Sequence, residues 1–153
     1  MKDTTFCAGS IDHVELLVPG QREAARWYEQ TLGLSICREY ECWADAGGPL
    51  MISADGGSTS LALFEGTSQN ATTFGRVAFR VDGSEFLNLL DRLPDLELKN
   101  ADGRRVTRSD AVDHDVSVSI YFRDPYGTPL EVTTYDYDVV RDALWGSERD
   151  SHS

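Results

Sequence analysis

The sequence has no long hydrophobic run: nothing in it approaches the ~18 consecutive apolar residues that a membrane-spanning helix requires, so an integral membrane role is not expected. Cysteine is scarce. Cys7, Cys37 and Cys42 form an odd set of three, and the Cys37-x4-Cys42 pair has no second Cys or His pair beside it. Reduced thiols are therefore expected, rather than a disulfide frame or a structural zinc site. Basic residues are also few, with 14 Lys and Arg against 26 Asp and Glu and a formal net charge of -12 at pH 7. That balance repels phosphate backbones and anionic lipid heads, so neither nucleic acid nor a membrane surface is an expected partner. A cationic guest would be drawn in, although surplus carboxylates also serve solubility. The opening MKDTTFCAGS lacks the apolar stretch of a secretory signal, and a cytoplasmic location is expected.

What is present suits one globular domain. The chain of 153 residues is 41% hydrophobic and 26% charged, an ordinary soluble composition at a common single-domain length. Ile11 to Val18 alternates as a strand does and is ended by Pro19-Gly20. Ala24, Trp27, Tyr28 and Leu32 then recur at helical steps, with Gly33 placed for a left-handed cap. Three strands are predicted next, over Leu34 to Trp43, Pro49 to Ser53 and Ser60 to Glu65. The polar run 67–73 reads as a linker. Beyond it the pattern restarts. Arg76 to Val81 is a strand, and Ser84 caps a helix with Phe86, Leu89, Leu90 and Leu93 on one face, stopped by Pro94. A short strand is predicted around Val106, followed by strands over Val116 to Arg123 and Pro129 to Tyr135. Asp124-Pro125-Tyr126-Gly127 between these last two has the residues of a type I turn. Trp27, Tyr28, Phe79 and Phe86 are expected in the core.

Both halves thus repeat one order of elements, βαβββ. The organisation predicted is a single domain over 1–145, with module one at about 10–66, the linker at 67–73, module two at about 74–136 and a C-terminal helix at 138–145. Residues 146–153 form a tail. A repeat too small to bury its own face must pack on another, either within the chain or across a swapped dimer, and exposed sheet edges favour a homodimer.

Within this frame, Val112-Asp113-His114, then Ile120-Tyr121, Asp124-Pro125-Tyr126-Gly127 and Glu131, is similar to the signature segment of extradiol ring-cleavage dioxygenases. Ile11-Asp12-His13-Val14 and ARWYEQTLGL resemble the first module of the same superfamily. Over roughly residues 10 to 136 the chain resembles the vicinal oxygen chelate superfamily of glyoxalases, bleomycin resistance proteins and extradiol dioxygenases. The resemblance implies an α+β fold in which two βαβββ modules form a half-open mixed-sheet barrel with helices outside. It also implies a ligand or substrate that is a small oxygenated molecule, catechol-like or dicarbonyl, and a divalent metal (Fe, Mn, Ni or Zn) held by inward residues of each module's first and last strands.

Aligning the two halves places His13 with Arg76 and Ala62 with Glu131 at those four positions. His13 and Glu131 can ligate. Arg76 is always protonated and offers no lone pair, and Ala62 has no donor atom, so the set falls short of the three protein ligands of an open catalytic site. An ion pair of Arg76 with Glu131 in place of a metal fits the same residues. The strand phases turn Glu15, Ala78, Arg80, Ser117, Ser119, Tyr121 and Thr133 toward the same cavity. His114 and Tyr121 match the signature's acid-base histidine and substrate-contacting tyrosine, and an imidazole can exchange a proton with a phenol or enediol near neutral pH. Three functions stay open at this point: a metal-dependent enzyme of dioxygenase or glyoxalase type, a metal-free protein that binds or sequesters a small molecule, and a metal-free lyase or isomerase with His13 or His114 as its base.

Overall fold

A computed structural model describes residues 11–66 and 76–146 of the chain. Cys7, the predicted linker and residues 147–153 lie outside the described residues. The chain divides into two compact units, Met1–Ala71 and Thr72–Ser153. Among the described residues no helix is long and apolar enough to cross a membrane.

The first unit runs β1 (His13–Val18), α1 (Gln21–Leu32), β2 (Ser35–Ile36), a 3-10 turn at Arg38–Tyr40, α2 (Glu41–Asp45), β3 (Leu50–Ser53) and β4 (Ser60–Glu65). Its mixed sheet has the order β1-β4-β3-β2, with β1 parallel to β4 and the other pairs antiparallel. The helix α1 buries Ala24, Ala25, Tyr28 and Thr31 at three- and four-residue spacing, which is one apolar stripe of a 3.6-residue period. Gly33 ends it in the left-handed region at φ 71°, and its N–H reaches the Glu29 carbonyl, a conformation glycine enters without a Cβ clash. Tyr28, Leu50, Ile52 and Leu63 form a core with no exposed surface. Gln21 joins this core by donating from Nε2 to the carbonyls of Gly48 and Leu63, both at 2.7 Å.

The second unit repeats the plan: β5 (Val77–Arg80), α3 (Gly83–Leu96), β6 (Val112–Asp113), β7 (Val118–Arg123), β8 (Pro129–Thr134) and α4 (Tyr137–Trp145). Its sheet order, β5-β8-β7-β6, and its parallel β5–β8 pair are those of the first unit. Phe86, Leu90, Leu93, Ile120, Leu130 and Val132 make its core. The fold is α+β, a doubled βαβββ unit, as expected. At the β7–β8 turn, Asp124 accepts from the N–H groups of Tyr126 and Thr128 while Gly127 closes back on the Asp124 carbonyl.

Four local expectations are corrected. The segment Leu34 to Trp43 is extended only at Ser35–Ile36. Beyond it the chain coils, because Glu41 draws in both Arg22 and Arg38, each at 2.6 Å, and Tyr40 stacks on Trp43 at 4.6 Å. Asp82, not Ser84, caps α3, accepting from the Glu85 N–H at 2.8 Å. Pro94 does not stop α3, which continues to Leu96 and ends where Glu97 turns left-handed at φ 53°. A proline in a last turn forfeits a single bond of the helix, so the helix tolerates it there. Val106 lies in no strand. It is tied to the Leu98 carbonyl, and the strand that pairs with β7 is Val112–Asp113 instead. Of the aromatic residues expected in the core, Tyr28 and Phe86 are buried, while Trp27 and Phe79 are half-buried.

Candidate functional site

The pleat of the second sheet assembles the site. Because strand side chains alternate between faces, one register decides every neighbour on a face. Glu131 sits between Tyr121 of β7 and Ala78 of β5, and Thr133 sits between Ser119 and Arg80. These six residues share one face, and Arg76, two residues before Ala78, joins them: its guanidinium carbon lies 4.6 Å from the centre of the Tyr121 ring.

His114 reaches this face from the turn between β6 and β7. Its Nε2 is 2.8 Å from the Tyr121 hydroxyl, with the two rings edge to face at 85°. The phenol can donate to an unprotonated ring nitrogen or accept from a protonated one, so the pair can pass a proton in either direction. The turn is held open by Asp115 in the left-handed region at φ 67°. Asp113 steadies it, accepting from the Asp115 N–H at 2.8 Å and from the Tyr137 hydroxyl of α4 at 3.0 Å. Asp113 and Tyr137 escape a reading of the sequence as site residues, because they stand 24 residues apart on elements no local pattern links.

The ion pair expected between Arg76 and Glu131 does not form. The Glu131 carboxylate instead accepts from the buried Ser119 hydroxyl at 2.8 Å, and the Arg76 cation rests on the aromatic face. A half-buried carboxylate is satisfied by a neighbouring hydroxyl at little conformational cost, and a ring quadrupole attracts a guanidinium without requiring it to desolvate.

In the first unit, Glu15 pairs with Ala62 as Ala78 pairs with Glu131 in the second. This register makes Ala62 the counterpart of Glu131 and His13 the counterpart of Arg76. His13 stands 2.7 Å from Asp12 through Nδ1 and 3.8 Å from Glu15 through Nε2. The hydrogen bond it donates to Asp12 foremost, with the charges of Asp12 and Glu15, raises its pKa above the ordinary value. Ser117 is buried at the foot of β7, and its carbonyl accepts from the His114 N–H. A separate cavity of about 410 Å³ in the first unit is lined by Cys37, Arg38, Glu39 and the Gly56-Gly57 turn, and none of the candidate residues lines it. Cys37 and Cys42 are free thiols.

The divalent metal implied by the family resemblance does not fit these residues. Of the four ligand positions, two carry side chains that cannot ligate, Arg76 and Ala62, which leaves His13 and Glu131, fewer than the three protein ligands of an open catalytic site. Among the described residues no group of three or more His, Cys, Asp and Glu converges as a metal site requires.

A doubled βαβββ unit with a polar face on its second sheet defines a class of small mixed-sheet proteins built from paired modules. The sequence model of the Glyoxalase/Bleomycin resistance protein/Dioxygenase superfamily matches residues 10–132, and the chain belongs to that superfamily. No curated protein matches the chain in sequence. Among solved structures, it is similar to the oxidase ChaP-H2, at 24% identity and TM-score 0.63, over 86% of this chain and 97% of that one. A glyoxalase/dioxygenase from Nostoc punctiforme is 21% identical with TM-score 0.61, over 86% and 97%. The fosfomycin resistance protein FosX from Mesorhizobium loti is 18% identical with TM-score 0.60, over 84% and 93%. At these identities the likeness is one of fold.

Proposed function

We propose that the polar face of the second unit binds a small oxygenated molecule, catechol-like or dicarbonyl, and exchanges a proton with it through His114 and Tyr121 without a resident metal. The observation that carries this reading is the 2.8 Å contact of His114 Nε2 with the Tyr121 hydroxyl, under a guanidinium at 4.6 Å from the Tyr121 ring. The three groups supply an acid-base relay and a cation beside it, which is what an enol or enolate needs in order to form and persist. The reaction class is that of an isomerase or lyase, with Arg76 and Tyr121 holding the oxygen that gains charge and His114 taking the proton. Glu131, fixed by Ser119, supplies an acceptor for a ligand hydroxyl. In the same proposal His13 and Glu15 are ligand-binding residues of the first unit's own corresponding face, and the chain acts as a cytoplasmic homodimer. Support for dimerisation comes from β1, an edge strand of its sheet on which Leu17 is 54% exposed.

The test is deuterium incorporation from solvent at the carbon beside the carbonyl of hydroxyacetone, followed by NMR, together with calorimetric titration of catechol, both in EDTA. Exchange and binding are expected to survive chelation. His114→Asn is expected to slow exchange by about a hundredfold or more, the usual contribution of a positioned acid-base group. Exchange that needs added Fe(II) or Mn(II), or that His114→Asn leaves unchanged, overturns the reading and returns support to the extradiol-type one that the signature segment suggests.

A further inference from the structure

The formal charge of -12 points toward cationic guests, yet the second unit's polar face has the opposite character. Six arginines of the described residues, Arg22, Arg38, Arg104, Arg105, Arg108 and Arg141, each sit against a carboxylate. Arg76 and Arg80 do not. Each lies instead on a tyrosine ring, Arg76 over Tyr121 and Arg80 over Tyr135, both with the guanidinium carbon 4.6 Å from the ring centre. Stacking uses the flat face of a guanidinium and leaves its N–H edge unspent. Each arginine is therefore held in place with its donors free, in a chain rich in carboxylates that could have neutralised it.

The two are also spaced. Four residues along an extended strand separate their backbones by about 13 Å, and the pleat puts both on the same face. Between them lies Ala78, small and exposed, with Thr133 and Glu131 alongside on β8. Glu131 Oε1 is engaged by Ser119, and its second oxygen can accept from a hydroxyl. Two forks, a flat floor and a central acceptor match an elongated molecule with an acid group at each end.

We propose that this face selects a rigid or extended dianion, with a carboxylate or equivalent oxyanion taken bidentately by Arg76 at the Tyr121 end and another by Arg80 at the Tyr135 end. The inference rests on the functional reading above for the location of the site and adds to it the class of ligand. Arg80 is then a specificity-determining residue, remote from the proton relay of His114.

The experiment titrates the full chain with biphenyl-4,4′-dicarboxylate, biphenyl-4-carboxylate, benzene-1,4-dicarboxylate and biphenyl-4,4′-bis(methylammonium), followed calorimetrically. The long dianion is expected to bind at least about tenfold more tightly than the monoanion or the short dianion, the usual return on one further charge-assisted pair. Its affinity falls as salt is raised, and the dication does not compete. In Arg76→Gln and in Arg80→Gln alike, the preference for dianion over monoanion is expected to collapse to about one. Arg80→Lys, which keeps the charge and loses the fork, retains part of it. Both arginines are exposed, so the fold is expected to survive, which an unchanged circular dichroism spectrum checks.

A preference that persists in either Gln variant, equal binding of the long dianion and the monoanion, tighter binding of the dication, or no binding of any probe at millimolar concentration overturns the proposal. His114→Asn separates the two readings. It should slow proton exchange by about a hundredfold or more and leave the dianion preference intact, so loss of one result without the other identifies which reading has failed.

Discussion

Replacement of Ser119 by alanine tests the arrangement that displaced the expected ion pair. Ser119 has no exposed surface, and its Oγ is 2.8 Å from Glu131 Oε1 and 2.9 Å from Thr133 Oγ1. The single Ser119 hydroxyl proton is shared between the carboxylate and Thr133 Oγ1, and Thr133 donates in turn to the Val118 carbonyl at a long 3.4 Å. Alanine removes the donor to the carboxylate and to the threonine together, and adds no bulk. A hydrogen bond to a charged group contributes about 1.5–3 kcal/mol when shielded. Glu131 is half-buried and water recovers part of the loss, which brings the expected cost to about 1–2 kcal/mol. For a chain of this size that lowers Tm by about 2–8 °C. Urea unfolding of Ser119→Ala, Glu131→Ala and the double variant closes a cycle whose interaction energy isolates the pair. A coupling of at least about 0.5 kcal/mol at unchanged m is expected. A coupling within about 0.3 kcal/mol of zero, the usual additivity error, would refute the claim that Ser119 holds Glu131.

Three further outcomes follow from the same kind of accounting. Gln21→Leu leaves the Gly48 and Leu63 carbonyls without their side-chain donor and should cost about 2–4 kcal/mol in urea unfolding; a loss below about 0.5 kcal/mol would show that the carbonyls find other partners. Gly33→Ala meets no atom within 4 Å, so its cost is backbone strain alone. The cap at φ 71° should lose about 1 kcal/mol, read as a shifted midpoint with unchanged activity, and no shift would mean the cap rearranges. Stability should fall with acid in a defined window. Asp55 is held down to about 2 by the Thr59 N–H first, then the Thr59 and Ser53 hydroxyls, and Asp110 to about 2 by Arg104 first, then the Thr107 N–H. Both lie below the ordinary 3.8, so their contribution is present above about pH 4 and is lost as the pH drops toward 2. The double variant Asp55→Asn, Asp110→Asn should flatten the dependence of the urea midpoint on pH in that range, and an unaltered slope would count against it.

Much of the fold was legible along the chain because its signals are local. Gly33 marks a helix end by its own conformational freedom, Asp124-Pro125-Tyr126-Gly127 makes a turn by the chemistry of four adjacent residues, and the alternation through β7 and β8 sets which side chains share a face. The same phases, carried across the sheet, group Ala78, Arg80, Ser119, Tyr121, Glu131 and Thr133 without any structure. Local signals failed where competing partners came from a distance. Residues 38–45 coil because Arg22, on α1, reaches Glu41, and the α3 cap passed from Ser84 to Asp82 because both are good capping residues and only the backbone path chooses between them.

The donor chemistry at the four ligand positions required no geometry: arginine has no lone pair and alanine no donor, wherever the chain places them. The choice of partner for each charged group belonged to the tertiary structure. Arg76 had a carboxylate two strand positions away and a tyrosine ring within equal reach, and Glu131 had a guanidinium and a buried hydroxyl. Such alternatives differ by about 1 kcal/mol, less than the burial and register of a sheet can impose. Sequence identity alone determined that this face could not build the usual metal site, and packing of β5, β7 and β8 decided that it would carry two stacked arginines with their donors free.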